Sequence, residues 1–340
     1  MSMSTTSTSP PIPLEMQHTI WPSWVIPVER EKTEASLLRT LYSEGCPVVH
    51  YEKTMADGNF GKAHLAHPEQ FVSSDEYIIK AVRLNNPEVM ARKKKKGKIF
   101  SSLVSVVSEV EHLRKQPGNE ESKLYVMHDR NGIPEKGFIF MKKFEAVASD
   151  VFKGPHHDDA VEKSSELQTL VTQIEAQIHA NEEQGLSHSD EHPGNMVRTK
   201  DGTWHLSDWG CASDLQGSNR ATAAGDVLQY NQRYFSPETR FLGSLPCGEK
   251  NGLWRLGASA LELLLGKRPE FMMKNYDPSD MPTDRDSYSR SVEKVKIYGM
   301  EVDRELKQLF QNPPSGSLLA CLNSQEKKNW ETKIRGLLQI

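Results

Sequence analysis

The stretch from His188 to Gly210, HSDEHPGNMVRTKDGTWHLSDWG, contains the residues that decide the fold. Asp190 and Asn195 stand on either side of Pro193-Gly194, a dipeptide that predicts a tight loop. After the loop we expect a short β-hairpin, because two apolar runs flank a polar turn that ends in glycine. The two strands and the turn are Met196-Val197, Trp204 to Ser207, and Lys200-Asp201-Gly202. The hairpin would return the chain to the side of Asn195.

Three polar side chains of this stretch, Asp190, Asn195 and Asp208, are candidates for chemistry. The Asp208 carboxylate and the Asn195 amide oxygen would converge beside the hairpin, and this pair suits Mg²⁺, a hard cation that takes few protein ligands. Asp190 would remain available to orient a substrate hydroxyl and to accept its proton. This is the spacing that phosphoryl-transfer enzymes use. The alternative is that His-x-Asp and Asp-x-Gly triplets are common in polar loops and carry no chemistry.

Length and composition limit the class of protein. At 340 residues the chain is long enough for about two domains. Its formal net charge of −4 gives no general attraction to nucleic acid or to anionic membranes. No apolar run approaches the roughly 18 residues that span a bilayer, and the first residues lack the apolar core of a secretory signal. The four cysteines are scattered without a CxxC pair, which favours a reducing, cytoplasmic compartment and argues against structural zinc.

The N-terminal part of the chain is predicted to be mainly β. Residues 1–45 form an extension that should be disordered at least from Met1 to about Pro13, where Ser, Thr and Pro dominate. Trp21 to Val28 is apolar enough to pack on the folded body. One amphipathic helix, with apolar residues at three- and four-residue steps from Ile99 to Leu113, lies among the strands. The predicted strands are Val48-Tyr51, Lys62-Leu65, Glu76-Val82, Lys123-Met127 and Gly137-Phe140.

The rest of the chain is predicted to be helical. Leu167 to Ile178 carries apolar residues on one face, and Leu253 to Leu265 is apolar almost all round. A helix that is apolar on every side is usually buried in the middle of a larger lobe. We therefore expect an α+β protein with a β-rich unit at residues 46–144 and a mostly helical unit at residues 145–340.

Two further groups of candidate residues lie in the β-rich part. The run Ala56-Asp57-Gly58-Asn59-Phe60-Gly61-Lys62-Ala63 stands between two predicted strands, and its glycines let a hairpin approach phosphates closely. Lys80 lies in an otherwise apolar strand, where a lysine either extends to the sheet edge or pairs with an anion in a cleft. The next helix offers Glu109 as its partner and Glu111 as a rival. The alternatives are an ordinary turn and solvent-exposed charges.

Taken in order, these motifs resemble the parts of protein kinases: a glycine hairpin, a strand lysine, a helix glutamate, a His-x-Asp loop with a downstream asparagine, and an Asp-x-Gly triplet. The resemblance covers about Cys46 to Ile340. Three more segments are similar to the helix and strand before the kinase catalytic loop, to the Ala-Pro-Glu segment and to the central C-lobe helix. They are Ile178-His179-Ala180 with Gly185-Leu186-Ser187-His188, Tyr234-Phe235-Ser236-Pro237-Glu238, and Leu253-Trp254-Arg255-Leu256-Gly257.

The resemblance implies a bilobal protein-kinase-like fold, with ATP and Mg²⁺ between a β-rich N-lobe and a mostly helical C-lobe. It implies transfer of the γ-phosphoryl group to Ser or Thr hydroxyls of protein substrates. In this scheme Asp190 is the catalytic base, Asn195 and Asp208 bind Mg²⁺, and Lys80 holds the α- and β-phosphates and pairs with Glu109.

The resemblance also implies how ATP is held. Gly58, Phe60 and Gly61 would cover its phosphates. The hinge that receives adenine would lie near Lys142 to Glu145, with Met141 as the gatekeeper that precedes it.

Two departures from the kinase pattern lie in the loop itself. Ser189 replaces the arginine that normally receives the activation-loop phosphate, so activity should not depend on phosphorylation of that loop. His192 stands where Ser/Thr kinases place a lysine that contacts the γ-phosphate. An imidazole is mostly neutral at pH 7, so it would supply less positive charge than the lysine.

Two other departures concern the support of the loop. Gly252 stands where the central helix usually starts with an aspartate that braces the catalytic loop, so the bracing must come from elsewhere. Near the C-terminus, Lys327 or Lys328 is expected to replace the arginine that usually pairs with the glutamate of the Ala-Pro-Glu segment, here Glu238.

Two other functions remain open. The HPGN string and Trp209 resemble the loop of aminoglycoside- and choline-kinase-like small-molecule phosphotransferases, although those enzymes lack the Ser-Pro-Glu segment and the LWRLG helix. A pseudokinase scaffold that only binds partners is the other alternative, against which Lys80, Asp190, Asn195 and Asp208 are all present.

The basic run Arg92–Lys98, RKKKKGK, suggests either a contact with an anionic lipid, a nucleic acid or the nuclear import machinery, or simply a solvated loop. The Ser/Thr-rich N-terminus, the missing regulatory features and the compact size would fit an effector kinase that a bacterium secretes into a host cell.

Overall fold

The structure is a computed structural model that describes residues 22–28, 49–57, 61–68, 77–84, 103–116, 119–129, 131–154, 159–214, 231–242, 248–273 and 284–340. The predictions for Gly58, Phe60, Arg92–Lys98 and residues 1–13 lie outside the described residues. The chain separates into two compact units, Met1–Lys143 and Phe144–Ile340.

The strands and helices make this an α+β protein, as expected. The assignment of residues 1–45, 46–144 and 145–340 to an extension and two kinase lobes stays a prediction.

The described part of the first unit is a β-sheet with one helix. Its strands lie in the order β1-β5-β6-β4-β3-β2, and all neighbours are antiparallel except β1 and β5. The five strands and the helix predicted from the sequence are confirmed, with ends that differ by a few residues. The elements are β1 Val25–Val28, β2 Val49–Asp57, β3 Gly61–Pro68, β4 Tyr77–Arg83, α1 Leu103–Arg114, β5 Lys123–His128 and β6 Pro134–Lys142.

Strand β1 shows where the apolar segment before residue 29 packs. It runs parallel to β5, with Val25 opposite Leu124. The Leu124 amide donates a hydrogen bond to the Trp24 carbonyl at 3.0 Å, and the Arg114 guanidinium lies 5.6 Å from the centre of the Trp24 ring. Val25 is buried. The segment therefore extends the sheet by one strand.

Helix α1 packs on the sheet through its apolar face. Its buried residues include Val106 and Val110. A Cβ atom on Gly137 would lie 3.3 Å from Leu124 Cδ1 and 3.6 Å from Val106 Cγ1. The glycine thus leaves room in the sheet for the Leu124 side chain of the neighbouring strand.

The second unit is mainly helical, with short strands between the helices. Its small sheets have the orders β10-β9-β7 and β11-β8 in the residues that the structure describes. The elements are β7 Ala146–Val147, α2 Ala148–Val151, α3 Ala160–Glu183, β8 Leu186–Ser187, β9 Met196–Arg198, β10 Trp204–Leu206, β11 Ser213–Asp214, α4 Pro237–Leu242, α5 Glu249–Leu265, α6 Glu270–Met273, α7 Arg285–Gln311, α8 Leu318–Cys321 and α9 Ser324–Leu338.

Helix α5 is the centre of this unit, as its all-round apolar sequence predicts. From Gly252 onward nearly every residue is buried. Helix α9 lies directly against it, because a Cβ atom on Gly257 would be 2.9 Å from Leu337 Cβ. Trp330 of α9 also donates its indole N–H to Ser164 Oγ of α3 at 3.0 Å. The three helices form the apolar core on which the loops of the candidate site rest.

No helix in the described residues combines the length and the apolar character that crossing a membrane requires.

Candidate active site

The hairpin predicted after Asn195 is present. Strands β9 and β10 are antiparallel, with Leu206 opposite Met196. Beyond this pair, the Ser207 amide donates to the Asn195 carbonyl at 2.8 Å. Ser207 is therefore paired with Asn195, and Asp208 is the next residue along the chain. It is exposed and has a left-handed backbone with φ of 60°.

Helix α3 fixes this hairpin through two glutamines. The side-chain oxygen of Gln173 accepts from the Trp204 amide at 2.8 Å, and that of Gln177 accepts from the Leu206 amide at 2.9 Å. The two glutamines are four residues apart and so lie on one face of the helix. They satisfy the donors along β10 that its partner β9 does not reach.

His188 ties the loop to the end of the hairpin. Its side chain is buried, with Nε2 2.8 Å from the Ser207 carbonyl oxygen, and its Nδ1 accepts from the Asp190 amide at 3.3 Å. A carbonyl only accepts and an amide only donates, so these contacts require the neutral ring with its proton on Nε2. The Trp209 ring packs edge-on against His188, with centres 4.7 Å apart. Trp209 thus supports the loop.

The Asp190 carboxylate is held between two side chains. The Asn195 amide nitrogen donates to Asp190 Oδ2 at 3.1 Å and to the Asp190 carbonyl at 2.9 Å. His192 Nε2 lies 3.5 Å from the same Oδ2. Because His192 Nδ1 accepts from the Gly194 amide at 3.1 Å, Nε2 carries the proton and points its N–H toward the carboxylate. Asp190 itself is only partly buried.

A buried tyrosine packs against the face of the His192 ring. The rings of His192 and Tyr234 are stacked, with centres 5.8 Å apart and planes 25° apart. The Tyr234 hydroxyl donates to Glu262, whose other oxygen lies 3.3 Å from Arg268 Nε. Burial, together with the nearby Glu262 charge, raises the pKa of the Tyr234 hydroxyl well above its usual range. Tyr234 therefore stays a neutral donor.

Ser189 occupies a strained and buried position. It has a left-handed backbone with φ of 68°, and its hydroxyl lies 3.0 Å from that of Ser187. The Ser187 hydroxyl in turn accepts from the Gly248 amide, just before α5, at 3.0 Å. The place of the expected arginine is thus taken by a short side chain directed inside the unit, which offers no positive charge to a phosphate.

In the first unit, Lys80 pairs with Glu109 and not with Glu111. Lys80 Nζ lies 2.6 Å from Glu109 Oε1, and both side chains are largely buried. Glu111 is exposed. The lysine is in strand β4, between β3 and β6, and the glutamate is in the second turn of α1. The two charges satisfy each other in a place where either one alone would be costly.

The other predicted ATP-binding residues of this unit are placed only in part. Gly61 begins β3 opposite Val82. Met141 lies near the end of β6, opposite Ile78, and is half-buried. The next amide, of Lys142, donates to the Asn119 side chain at 3.2 Å.

The prediction that Lys327 or Lys328 pairs with Glu238 is wrong. Glu238 pairs with Lys250 of α5 at 2.5 Å, whereas Lys327 lies 3.5 Å from the Ala320 carbonyl and Lys328 is exposed. The kinase pattern places this partner near the C-terminus, but here the first turn of α5 supplies Lys250 to the Ser-Pro-Glu segment. Asn251 adds a second link there, because its side-chain oxygen accepts from the Ser236 hydroxyl at 2.6 Å.

Glu191 and Arg255 were not among the residues predicted from the sequence. Arg255 Nη1 donates to Glu191 Oε2 at 3.0 Å, and both side chains are almost completely buried. Gly252 lies beside the Glu191 carboxylate. The available signal was an arginine inside an otherwise apolar helix, because such a charge requires a partner.

The donor set that was predicted for Mg²⁺ is an amide oxygen and a carboxylate. The amide nitrogen of Asn195 is used by Asp190, so its oxygen is the atom left for a cation, and the exposed carboxylate of Asp208 follows the hairpin. Such oxygen donors fit Mg²⁺, which keeps several waters. The described residues contain no group of three or more His, Cys, Asp and Glu side chains placed to hold a metal.

No protein-family model matches the chain. A segment is 32% identical over 92 residues to the cytokinesis protein sepH of Aspergillus terreus, covering 27% of this chain and 6% of that protein. A segment is 34% identical over 107 residues to mitogen-activated protein kinase kinase kinase 4 of Mus musculus, covering 30% and 7% of the two chains. The Homo sapiens protein of the same name is 34% identical over 101 residues, covering 28% and 6%. The matched segments thus span less than a tenth of these relatives, and part of this chain has kinase-like similarity.

Proposed function

We propose that this protein is a protein kinase that uses ATP and Mg²⁺ to phosphorylate Ser or Thr hydroxyls of protein substrates. The observation that carries the proposal is the Asp190 carboxylate, which is partly exposed and held between the Asn195 amide and the His192 imidazole. The largely buried Lys80–Glu109 pair and the partial similarity to a protein kinase kinase kinase support it.

In the proposed reaction, Asp190 orients the substrate hydroxyl and accepts its proton. The hydroxyl oxygen forms a bond to the γ-phosphorus, and the bond from that phosphorus to the bridging oxygen of ADP breaks. Lys80, oriented by Glu109, would hold the α- and β-phosphates. Asn195 and Asp208 would hold Mg²⁺, which supplies charge neutralisation on the phosphates when bound. Catalysis comes mainly from positioning and electrostatics.

His192 contributes to this site as a neutral donor. Its Nε2–H faces the Asp190 carboxylate at 3.5 Å, so it helps to hold the base in place more than it supplies positive charge. Ser189 offers no charge to an activation-loop phosphate, which supports activity without phosphorylation of that loop. A reducing, cytoplasmic compartment and secretion into a host cell stay predictions.

The experiment is incubation of the wild type, Asp190→Asn and Asp201→Asn with labelled ATP and Mg²⁺, on the protein itself and on cell lysate. Asp201 is a matched control because it lies in the turn of the same hairpin, where its carboxylate accepts from the Thr203 amide. We expect label on Ser and Thr of proteins, with a loss of about 10²- to 10⁴-fold in Asp190→Asn alone.

Equal labelling by the wild type and Asp190→Asn would contradict the proposal. Label that enters small molecules only would support a phosphotransferase of the aminoglycoside or choline type. Absence of label with unimpaired folding would favour a scaffold.

A further inference from the structure

We propose that Glu191 and Arg255 are positioning residues that hold Asp190 and His192 in their reactive geometry without contact to substrate. The proposal rests on the proposed function. Glu191 stands between these two residues in the chain, yet it is buried while they are partly exposed. Its side chain is therefore directed to the interior, toward α5.

Both ends of Glu191 are bound by helix α5. Its side-chain Oε2 accepts from Arg255 Nη1 at 3.0 Å, and its main-chain carbonyl accepts from the Ser259 hydroxyl at 3.2 Å. Arg255 and Ser259 are four residues apart and lie on one face of the helix. The helix thus fixes both the direction of the side chain and the plane of the peptide that follows it.

Gly252 belongs to the same face of α5. A Cβ atom there would lie 3.2 Å from Glu191 Oε1 and 3.0 Å from Ile178 Cγ2. A larger residue would crowd both the Glu191 carboxylate and Ile178, so the glycine provides the space in which the pair forms. Gly252, Arg255 and Ser259 together form a seat for this one loop residue.

The seat determines the position of the candidate catalytic side chains. A buried carboxylate and a buried guanidinium are stable only while they are paired, so displacement of the loop from α5 is strongly opposed. The residues next to Glu191 must then keep their places. Misplacement of a reacting group by about 1 Å can cost about 100-fold in rate, which makes this stiffness a catalytic requirement.

The test is the double variant Glu191→Leu/Arg255→Met, measured for kcat, KM for ATP and thermal unfolding. Replacing both charges by apolar groups of similar volume commonly preserves stability, whereas the hydrogen-bonded direction of the loop is lost. We expect kcat to fall at least about tenfold, with KM for ATP changed less than about twofold. The control is Glu175→Leu/Lys333→Met, which removes an ion pair between α3 and α9 and should leave kcat unchanged.

A folded double variant with the kcat of the wild type overturns the proposal. If the double variant does not fold, Ser259→Ala decides, since it removes only the hydroxyl on the Glu191 carbonyl. A lowered kcat with unchanged KM in that variant supports the proposal, and an unchanged kcat overturns it.

A failure of the proposed function gives a different result. If the wild type transfers no phosphate, amide hydrogen exchange still reports on the seat. Faster exchange at Gly194 and Asn195 in the double variant, but not in the control, would support positioning of the loop while the kinase proposal fails. Unchanged exchange would overturn the positioning role as well.

Discussion

At the scale of single residues, His192 shows how backbone geometry determines what a side chain can do. The Gly194 amide donates a hydrogen bond to His192 Nδ1, and the Tyr234 ring stacks against the face of the imidazole. The N–H that remains is directed at Asp190. A histidine placed in this way orients the neighbouring carboxylate, which a flexible lysine would do less specifically.

We predict that His192→Ala lowers kcat by about 10- to 100-fold, because Asp190 loses one of two donors that hold it. KM for ATP should change little. His179→Ala is the control, since His179 is half-exposed and pairs with Glu249 on the surface of the same unit. Steady-state kinetics of both variants check the prediction, and equal activity in the two would contradict it.

A second residue-scale prediction concerns pH. His205 is buried in β10, and burial lowers its pKa below the ordinary value of 6.5, although the nearby Asp201 carboxylate opposes this effect. The unfolded chain therefore takes up the proton more readily than the folded protein, so stability falls as the pH drops below 6.5. Each unit of pKa depression is worth about 1.4 kcal/mol.

Thermal unfolding from pH 7.5 to 5 tests this with the variant His205→Val, which keeps a strand-forming residue but cannot titrate. We expect a smaller loss of stability at low pH than in the wild type. A residual loss should remain, since burial also lowers the pKa of His128 in the first unit. Parallel pH curves for variant and wild type would show that His205 is not responsible.

At the scale of secondary-structure elements, Glu109 and Glu111 lie on different faces of helix α1. Glu109 faces Lys80 at 2.6 Å, and Glu111, two residues on, is exposed. We predict that Glu109→Gln lowers phosphotransfer at least about tenfold, because Lys80 loses the charge that orients it. Glu111→Gln makes the same chemical change and should be neutral. A loss of activity in both variants, or in neither, would speak against the assigned role of Glu109.

The packing of α5 against α9 gives a prediction about stability. Alanine normally favours a helix over glycine by about 1 kcal/mol. At Gly257, however, the added methyl would lie 2.9 Å from Leu337 Cβ, so we expect Gly257→Ala to destabilise the protein by about 1–3 kcal/mol. Gly299→Ala in α7 is the matched control, because nothing lies within 4 Å of its added Cβ and it should stabilise slightly. The free energy of unfolding, measured with denaturant, checks the prediction. Equal changes in Gly257→Ala and Gly299→Ala would show that packing at Gly257 is unimportant.

At the scale of the whole molecule, the proposed function makes the segment from Cys211 to Ser236 the counterpart of a kinase activation loop. Tyr234 and Ser236, at its end, are buried and hydrogen-bonded, so replacing them would test folding instead of phosphorylation. We predict that the variant Ser213→Ala/Ser218→Ala/Thr222→Val/Tyr230→Phe keeps its activity within about twofold, since Ser189 has no positive charge for a phosphate to bind.

The activity assay with labelled ATP checks this prediction, together with thermal unfolding of the same variant. A large loss of activity in a variant that unfolds like the wild type would mean that phosphorylation of the segment is required.

The sequence by itself predicted the main strands of the first unit, the hairpin and three of the helices, in their order along the chain. Strand and helix periods, turn residues and the hairpin after Asn195 are local patterns, and the structure contains them with ends that differ by a few residues. It also identified Lys80 and a glutamate of the next helix as candidates for a pair, because a lysine in an apolar strand needs an anion nearby.

Only the tertiary structure decided which remote residues meet. In the structure Lys80 pairs with Glu109 and not with Glu111, and Glu238 pairs with Lys250. Strand β1 lies beside β5, and Glu191 pairs with Arg255. Periodicity reports the environment of a residue along its own element, whereas a partner 64 positions away depends on how helices pack and how loops rest on them. The contact of Glu191 with Arg255 and Gly252, which supports the candidate catalytic loop, depends on such packing. The need for a glycine at position 252 is visible only when the Glu191 carboxylate lies beside it.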